Sequence, residues 1–213
     1  MNTVGICNAA LAMLGISTIT SFEENNVNAK LCKSFFPTLR DRVLRDHSWS
    51  FAAKYHPLPL LDMDSPDPEF PYVAQLPGDL IRIIRIIPRD IPYTKTGRTI
   101  LLAEPAEQLV YTARITDPEL FDAAFTEALQ YLMAAEIGMA NTRDAQLVNM
   151  YRTEYERRLA VARSLDSMEN RHAYQSRRRS DWLAARHGAS IKRPRRVGKT
   201  EWVEGTAGKQ PAQ

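Results

Sequence analysis

Six prolines between positions 57 and 77 (Pro57, Pro59, Pro66, Pro68, Pro71 and Pro77) rule out a helix across the middle of this chain. Each removes a backbone donor and pushes its ring against the preceding turn. Both flanks carry helical periodicity instead. Apolar residues recur at Val4, Cys7, Leu11 and Leu14, Gly15 reads as the C-terminal stop, and Asn2 or Thr3 can cap the start. A second stripe, Val27, Leu31, Phe35, Leu39 and Val43, runs from about Asn26 to Arg45, and Pro37 within it predicts a kink or a split. Beyond the proline region, Asp117-Pro118 predicts a helix start, with Phe121, Phe125, Ala128, Leu132, Ala135 and Met139 on the apolar face down to about Asn141. Thr142 reads as the cap of a further long helix carrying Leu147, Tyr151, Tyr155, Leu159 and Ala162 along one side. Stripes of this kind are core packing first.

Strand signals lie between the flanks. Leu80 to Ile87 is Ile-rich with Arg82 and Arg85 interleaved, Tyr93 to Thr99 reads as strand, turn and strand around Gly97, and Gln108 to Ile115 alternates. The expected fold class is α+β, mainly α: a four-helix-type bundle with an inserted small antiparallel β unit of three or four strands and an extended basic C-terminal tail. The expected domains are a discontinuous helical bundle from 1–47 and 117–170, a β extension from 48–116, and a basic Arg/Trp tail from 171–213.

Charge separates the tail from the rest. Residues 171–213 hold eleven Lys/Arg against Asp181, Glu201 and Glu204, a balance of +8. The first 170 residues hold seventeen bases and twenty-two acids, or −5. Gly, Pro, Lys, Arg and Thr dominate from Ser190 onward, the composition of an unfolded or partner-ordered tail, although Ser180 to Gly188 could form a short helix around Trp182 and Leu183. The apolar fraction of 44% is enough for a core without staples. No run reaches the roughly 18 apolar residues of a membrane span, and Met1-Asn2-Thr3-Val4 does not open a secretory signal. Cys7 and Cys32 read as core thiols of a reducing compartment, with a bridge between them as the alternative.

Chemistry is hard to find. His47, His56, His172 and His187 share no ligand spacing, so no metal is expected. No serine sits in a nucleophile elbow. Lys95-Thr96-Gly97-Arg98-Thr99 has neither the upstream glycine nor the strand-to-helix setting of a phosphate loop, and reads as a hairpin turn. Asp62, Asp64, Asp67 and Glu69 cluster in the proline-rich loop, where acids are usually just solvated. No catalytic residue and no cofactor are therefore expected, and the chain does not read as an enzyme. The tail offers two binding readings. Arg177, Arg178, Arg179, Arg193, Arg195 and Arg196 could neutralise nucleic-acid phosphates. The same arginines, interleaved with Trp182 and Trp202, could equally anchor a protein interface.

A specific resemblance bears on that choice. Asn8-Ala9-Ala10-Leu11-Ala12-Met13-Leu14-Gly15, then Ile19-Thr20-Ser21-Phe22-Glu23-Glu24, resembles the opening of the tail tubular protein A family, the head-to-tail adaptors of podovirus-like phages. The likeness continues through Arg40-Asp41-Arg42-Val43-Leu44-Arg45-Asp46-His47-Ser48-Trp49-Ser50-Phe51-Ala52, with Ser48 where the family usually has proline. It extends through Leu76-Pro77-Gly78-Asp79 and through Phe125-Thr126-Glu127-Ala128-Leu129 to Leu132-Met133-Ala134-Ala135-Glu136. It spans roughly residues 3–165 in order and leaves the tail uncovered.

The resemblance implies a virion structural protein at the head–tail junction, made in the host cytoplasm. It implies a homo-oligomeric ring, expected to be a dodecamer, between the portal ring and a nozzle of the tail tubular protein B type, with tail fibres as further neighbours. Genome DNA would pass through its channel during ejection, and no membrane is involved. On that view the tail (Arg177, Arg178, Arg179, Trp182, Arg193, Arg195, Arg196 and Trp202) binds the portal, and the turn Lys95, Thr96, Gly97 and Arg98 faces a partner. The competing expectation is a nucleic-acid-binding accessory protein that uses the basic tail.

Overall fold

The computed structural model describes residues 2–142 and 144–169; every tail expectation lies outside them. The chain is mixed α and β. Helices α1 (Thr3–Met13) and α2 (Val27–Asp46) come first, and a 3-10 turn at Ser50–Ala52 leads into the strands. These are β1 (Ala53–Pro57), β2 (Tyr72–Gln75), β3 (Leu80–Ile87), β4 (Tyr93–Thr96), β5 (Thr99–Leu102) and β6 (Gln108–Ala113). A second 3-10 turn, Pro118–Leu120, precedes α3 (Ala123–Asn141) and α4 (Ala145–Glu169). The strands form two antiparallel three-stranded sheets, ordered β1-β6-β3 and β2-β5-β4.

α1 follows its sequence closely. The Asn2 side chain accepts from Gly5 N at 2.8 Å, and the helix ends in a Schellman closure, with Ile16 N donating to Leu11 O and Gly15 N to Ala12 O. Gly15 supplies the φ of +68° that this closure needs.

α2 corrects the sequence reading at two points, the split allowed at Pro37 and the buried face. It runs through Pro37 as one helix, neither split nor ended there. Its buried residues are Ala29, Cys32, Phe36, Leu39, Arg40, Val43 and Leu44, whereas Val27 is exposed. A row at a strict spacing of four drifts about 40° per step around a helix of 3.6 residues per turn. The row from Val27 to Val43 therefore leaves the core at one end, and spacings alternating between three and four hold the real face.

The β region is larger than the three or four strands expected. β1 and β2 were hidden by Pro57, which ends β1, and Pro71, which immediately precedes β2. In β3, Arg82 and Arg85 are three positions apart, which a regular strand would put on opposite faces. β3 carries register shifts between Leu80 and Arg82 and between Ile83 and Arg85, and the second of them restores the phase. Arg82 then pairs with Thr112 and Arg85 with Val110, so both arginines share one face of the sheet.

The C-terminal helices start later than expected. Asp117-Pro118 opens only the 3-10 turn, and α3 is capped by Asp122, whose carboxylate accepts from Ala124 N and Phe125 N. Thr142 closes α3, and Asp144 caps α4 by accepting from Gln146 N and Leu147 N. α3 is the central helix. Phe125, Ala128, Leu129, Leu132, Met133, Ala134, Ala135, Ile137 and Gly138 bury almost its whole circumference, and α1, α2 and α4 all pack on it. Met139, expected on that face, is exposed. One hydrophobic core joins these helices to Ile81, Ile86, Leu109, Tyr111 and Ala113 of the first sheet and to Ala74, Ile100 and Leu102 of the second.

Candidate functional site

The most distinctive residues of the sequence turn out to be fasteners. Asn8 pairs its side-chain amide with the backbone of Ile19, donating at 2.8 Å and accepting at 2.9 Å, and so pins the loop after α1. The Glu24 carboxylate accepts from the Thr20 hydroxyl, Thr20 N and Ser21 N, bonds that hold it below the usual carboxylate range. Arg40 is buried and donates twice to Asp41 Oδ1, at 2.7 and 3.0 Å; Arg114 Nε, beyond β6, donates to Asp41 Oδ2 at 2.7 Å. Trp49 is fully buried. Its indole N–H donates to Val43 O at 2.8 Å, and its ring meets Phe125 edge-on at 5.2 Å. Phe51 and Phe121 complete an aromatic cluster at the corner between helices and strands.

Two acids tie distant segments there. Asp79, in the Leu-Pro-Gly-Asp step, accepts from Lys54 Nζ at 2.9 Å and from the Tyr111 hydroxyl at 2.8 Å. Burial pushes its carboxyl up, but the Lys54 and Tyr111 hydrogen bonds outweigh it, and the net direction is down. Tyr111 is pushed up in turn, first by burial and then by Asp79. Asp166, near the end of α4, accepts from Ser50 N at 2.8 Å, from Ser50 Oγ at 2.6 Å, and meets His47 Nε2 at 2.9 Å. Ser, His and Asp side chains thus converge, but the carboxylate sits between the other two. A nucleophilic serine needs the imidazole beside its hydroxyl. This trio instead fastens the end of α4 to the corner after α2.

Other candidates are quickly placed. Cys7 and Cys32, both buried, are free thiols, and the hydrogen bond between them, together with burial, pushes the Cys7 thiol up. In the acidic loop, Asp67 accepts from Glu69 N in a local turn. Among the described residues no group of His, Cys, Asp and Glu is arranged to hold a metal ion, and no helix is long and apolar enough to cross a membrane. A groove of about 410 Å³ between α2, α3 and α4 is lined by Arg42, Leu132, Glu136, Arg152, Tyr155 and Glu156. Glu136 Oε1 lies between the two guanidiniums, 3.9 Å from Arg42 and 3.5 Å from Arg152, so the groove is electrically balanced.

The expected hairpin turn is present. β4 and β5 pair from Tyr93↔Leu102 to Thr96↔Thr99, leaving Gly97 and Arg98 as a two-residue turn, with φ of +58° at Gly97. Lys95, Gly97 and Arg98 face Leu76, Pro77, Gly78 and Leu80 across a cleft of about 110 Å³. The candidate tail residues Arg177, Arg178, Arg179, Trp182, Arg193, Arg195, Arg196 and Trp202 lie outside the described residues. Comparison with protein-family models and with curated proteins returns no match for the chain.

Proposed function

We propose that the chain is a structural head-to-tail adaptor of a short-tailed phage. Its copies form a ring, a dodecamer, that joins the portal to the tail nozzle around the DNA channel. The observation that carries this reading is what the residues of the resemblance do. Asn8, Glu24, Arg40, Asp41, Trp49 and Asp79 fasten the chain's own loops, helices and strands, and none of them forms a nucleophile–base pair. Such a chain is built to present surfaces. One such surface is the outward side of α4, where Val161, Leu165 and Met168 recur at helical spacing, exposed by 51%, 49% and 57%.

In this reading the four helices act as a four-helix-type bundle of residues 1–47 and 117–170. The β extension, 48–116, meets a second partner, and the +8 tail from 171 orders on the portal. The test is the mass of the purified protein by light scattering at moderate salt, alone and mixed with a portal ring. A ring-sized shift that requires the portal and disappears when residues 180–213 are removed is the expected result. No shift with portal, alongside salt-sensitive binding to any duplex, overturns the reading in favour of a nucleic-acid-binding protein that uses its tail.

A further inference from the structure

The β4–β5 hairpin has a chemistry of its own, and its argument stands whether or not the adaptor reading does. Every residue of β4 is exposed, and from Tyr93 to Leu102 there is no acid. Lys95 and Arg98 flank the 110 Å³ cleft, and among the described residues neither the Lys95 ammonium nor the Arg98 guanidinium has a hydrogen-bond or ion-pair partner. The other Lys and Arg side chains of the β strands and their exit are engaged: Lys54 with Asp79, Arg82 with Arg45 O, Arg85 with Tyr55 and Arg114 with Asp41. Two cations left open at one cleft, with no carboxylate on their hairpin, create a local positive potential.

The tip is also held in place. Arg98 O accepts from Leu76 N at 3.0 Å and from Gln75 Nε2 at 3.1 Å, and Thr99 Oγ1 donates to Thr96 O at 2.9 Å. An arriving ligand therefore meets a formed turn and does not have to order one. β4 is an edge strand, so it adds outward backbone groups to the side-chain donors Tyr93, Thr94, Lys95 and Thr96.

We infer that this hairpin tip and its cleft form a binding site for phosphoryl oxygens, with the backbone phosphates of nucleic acid as the favoured source. Lys, Arg, Thr and Tyr side chains with backbone N–H groups are the donors that contact phosphates without reading sequence. The site is not a nucleotide loop, because a strand and not a helix follows the turn.

The test uses the full chain, so that any contribution of the basic tail is common to every variant. Inorganic phosphate and pyrophosphate are titrated by amide NMR, and a short duplex DNA by fluorescence anisotropy over a salt series. The wild type is compared with Lys95→Gln/Arg98→Gln and with the charge-matched control Lys30→Gln/Lys33→Gln. Saturable shifts at the amides of residues 95–98 are expected. Duplex affinity falls about tenfold or more at low salt, and the log–log salt slope drops by about 1.8, the share of two phosphate contacts. The control changes affinity less than twofold. Phosphate shifts with duplex affinity unmoved keep the phosphoryl site and assign it to small phosphates. The inference is overturned by an absence of shifts at the tip, by equal affinity losses in both double variants, or by a glutamate-rich peptide that competes as well as pyrophosphate.

Discussion

At the scale of single residues, stability concentrates at the corner where helices become strands. Trp49 both fills the core and satisfies the carbonyl of Val43. Trp49→Phe keeps most of the packing but leaves that carbonyl without its donor, and is expected to cost about 1–3 kcal/mol in urea unfolding. Trp49→Ala adds a large cavity and is expected to cost about 3–5 kcal/mol. Asp79 makes a prediction about pH. Its carboxyl is held below the ordinary aspartate value of 3.8, so the unfolded chain takes up its proton first as pH falls. Its stabilisation is fully present above the ordinary value and is lost as pH falls from there through the lower folded value. Asp79→Asn should therefore weaken the fold at neutral pH and flatten the acid limb of a stability-versus-pH curve; an unchanged acid limb would count against the assignment. Asp79 stood in the Leu-Pro-Gly-Asp stretch of the resemblance, but nothing there showed its bonds to Lys54 and Tyr111, and Asp166 did not stand out at all. Asp166 meets Ser50 across 116 positions, and a bond of that span leaves no local pattern. Trp49 did stand out, within a motif that resembled an adaptor family, but its role there is packing.

At the scale of elements, legibility followed the range of the forces involved. The start and stop of α1 were readable because caps and Schellman closures are made by neighbours in sequence, Asn2 with Gly5 and Gly15 with Ala12. The hairpin at Gly97 was readable for the same reason. β1 and β2 were not, because their pairing with β6 and β5 is long-range and prolines border both strands. The start of α3 was misplaced because Asp117 and Asp122 are equally good caps, and the packing of Phe121 and Phe125 on Phe51 decides between them. Pro37 gives the element-scale prediction. It lies exposed inside a continuous α2 and leaves the carbonyl one turn earlier, on Lys33, without its helical donor. Pro37→Ala restores that donor at a site that buries nothing, and should raise stability by about 1–3 kcal/mol in thermal or urea unfolding. A loss of stability would show that proline at this position is needed for packing.

At the scale of the whole molecule, the decisive fact is that one core serves both helices and sheets. Leu44 and Phe125 from the helices belong to the same buried cluster as Ile81, Leu109 and Tyr111 from the first sheet and Ile100 from the second. A β extension inserted between helix pairs could in principle melt on its own. Here its inward faces are the floor of the helical core, and the Arg114–Asp41 and Asp166–Ser50 bonds cross-link the seam. Residues 2–169 should therefore unfold as one unit, as small domains with a single core usually do. The measurement is a urea titration in a Trp182→Phe/Trp202→Phe background, where Trp49 is the one remaining tryptophan and reports the corner. Its fluorescence, the far-ultraviolet signal of the helices and hydrogen exchange at the β6 amides should give the same midpoint. Replacing residues 53–113 with a short Gly/Ser linker should abolish the cooperative transition of the remaining helices, because Val43, Leu44 and Trp49 would lose part of their apolar cover. An early, separate loss of β6 protection would instead make the sheets an independent module docked on a self-sufficient bundle. The corner fasteners would then orient that module and add nothing to the stability of the helices.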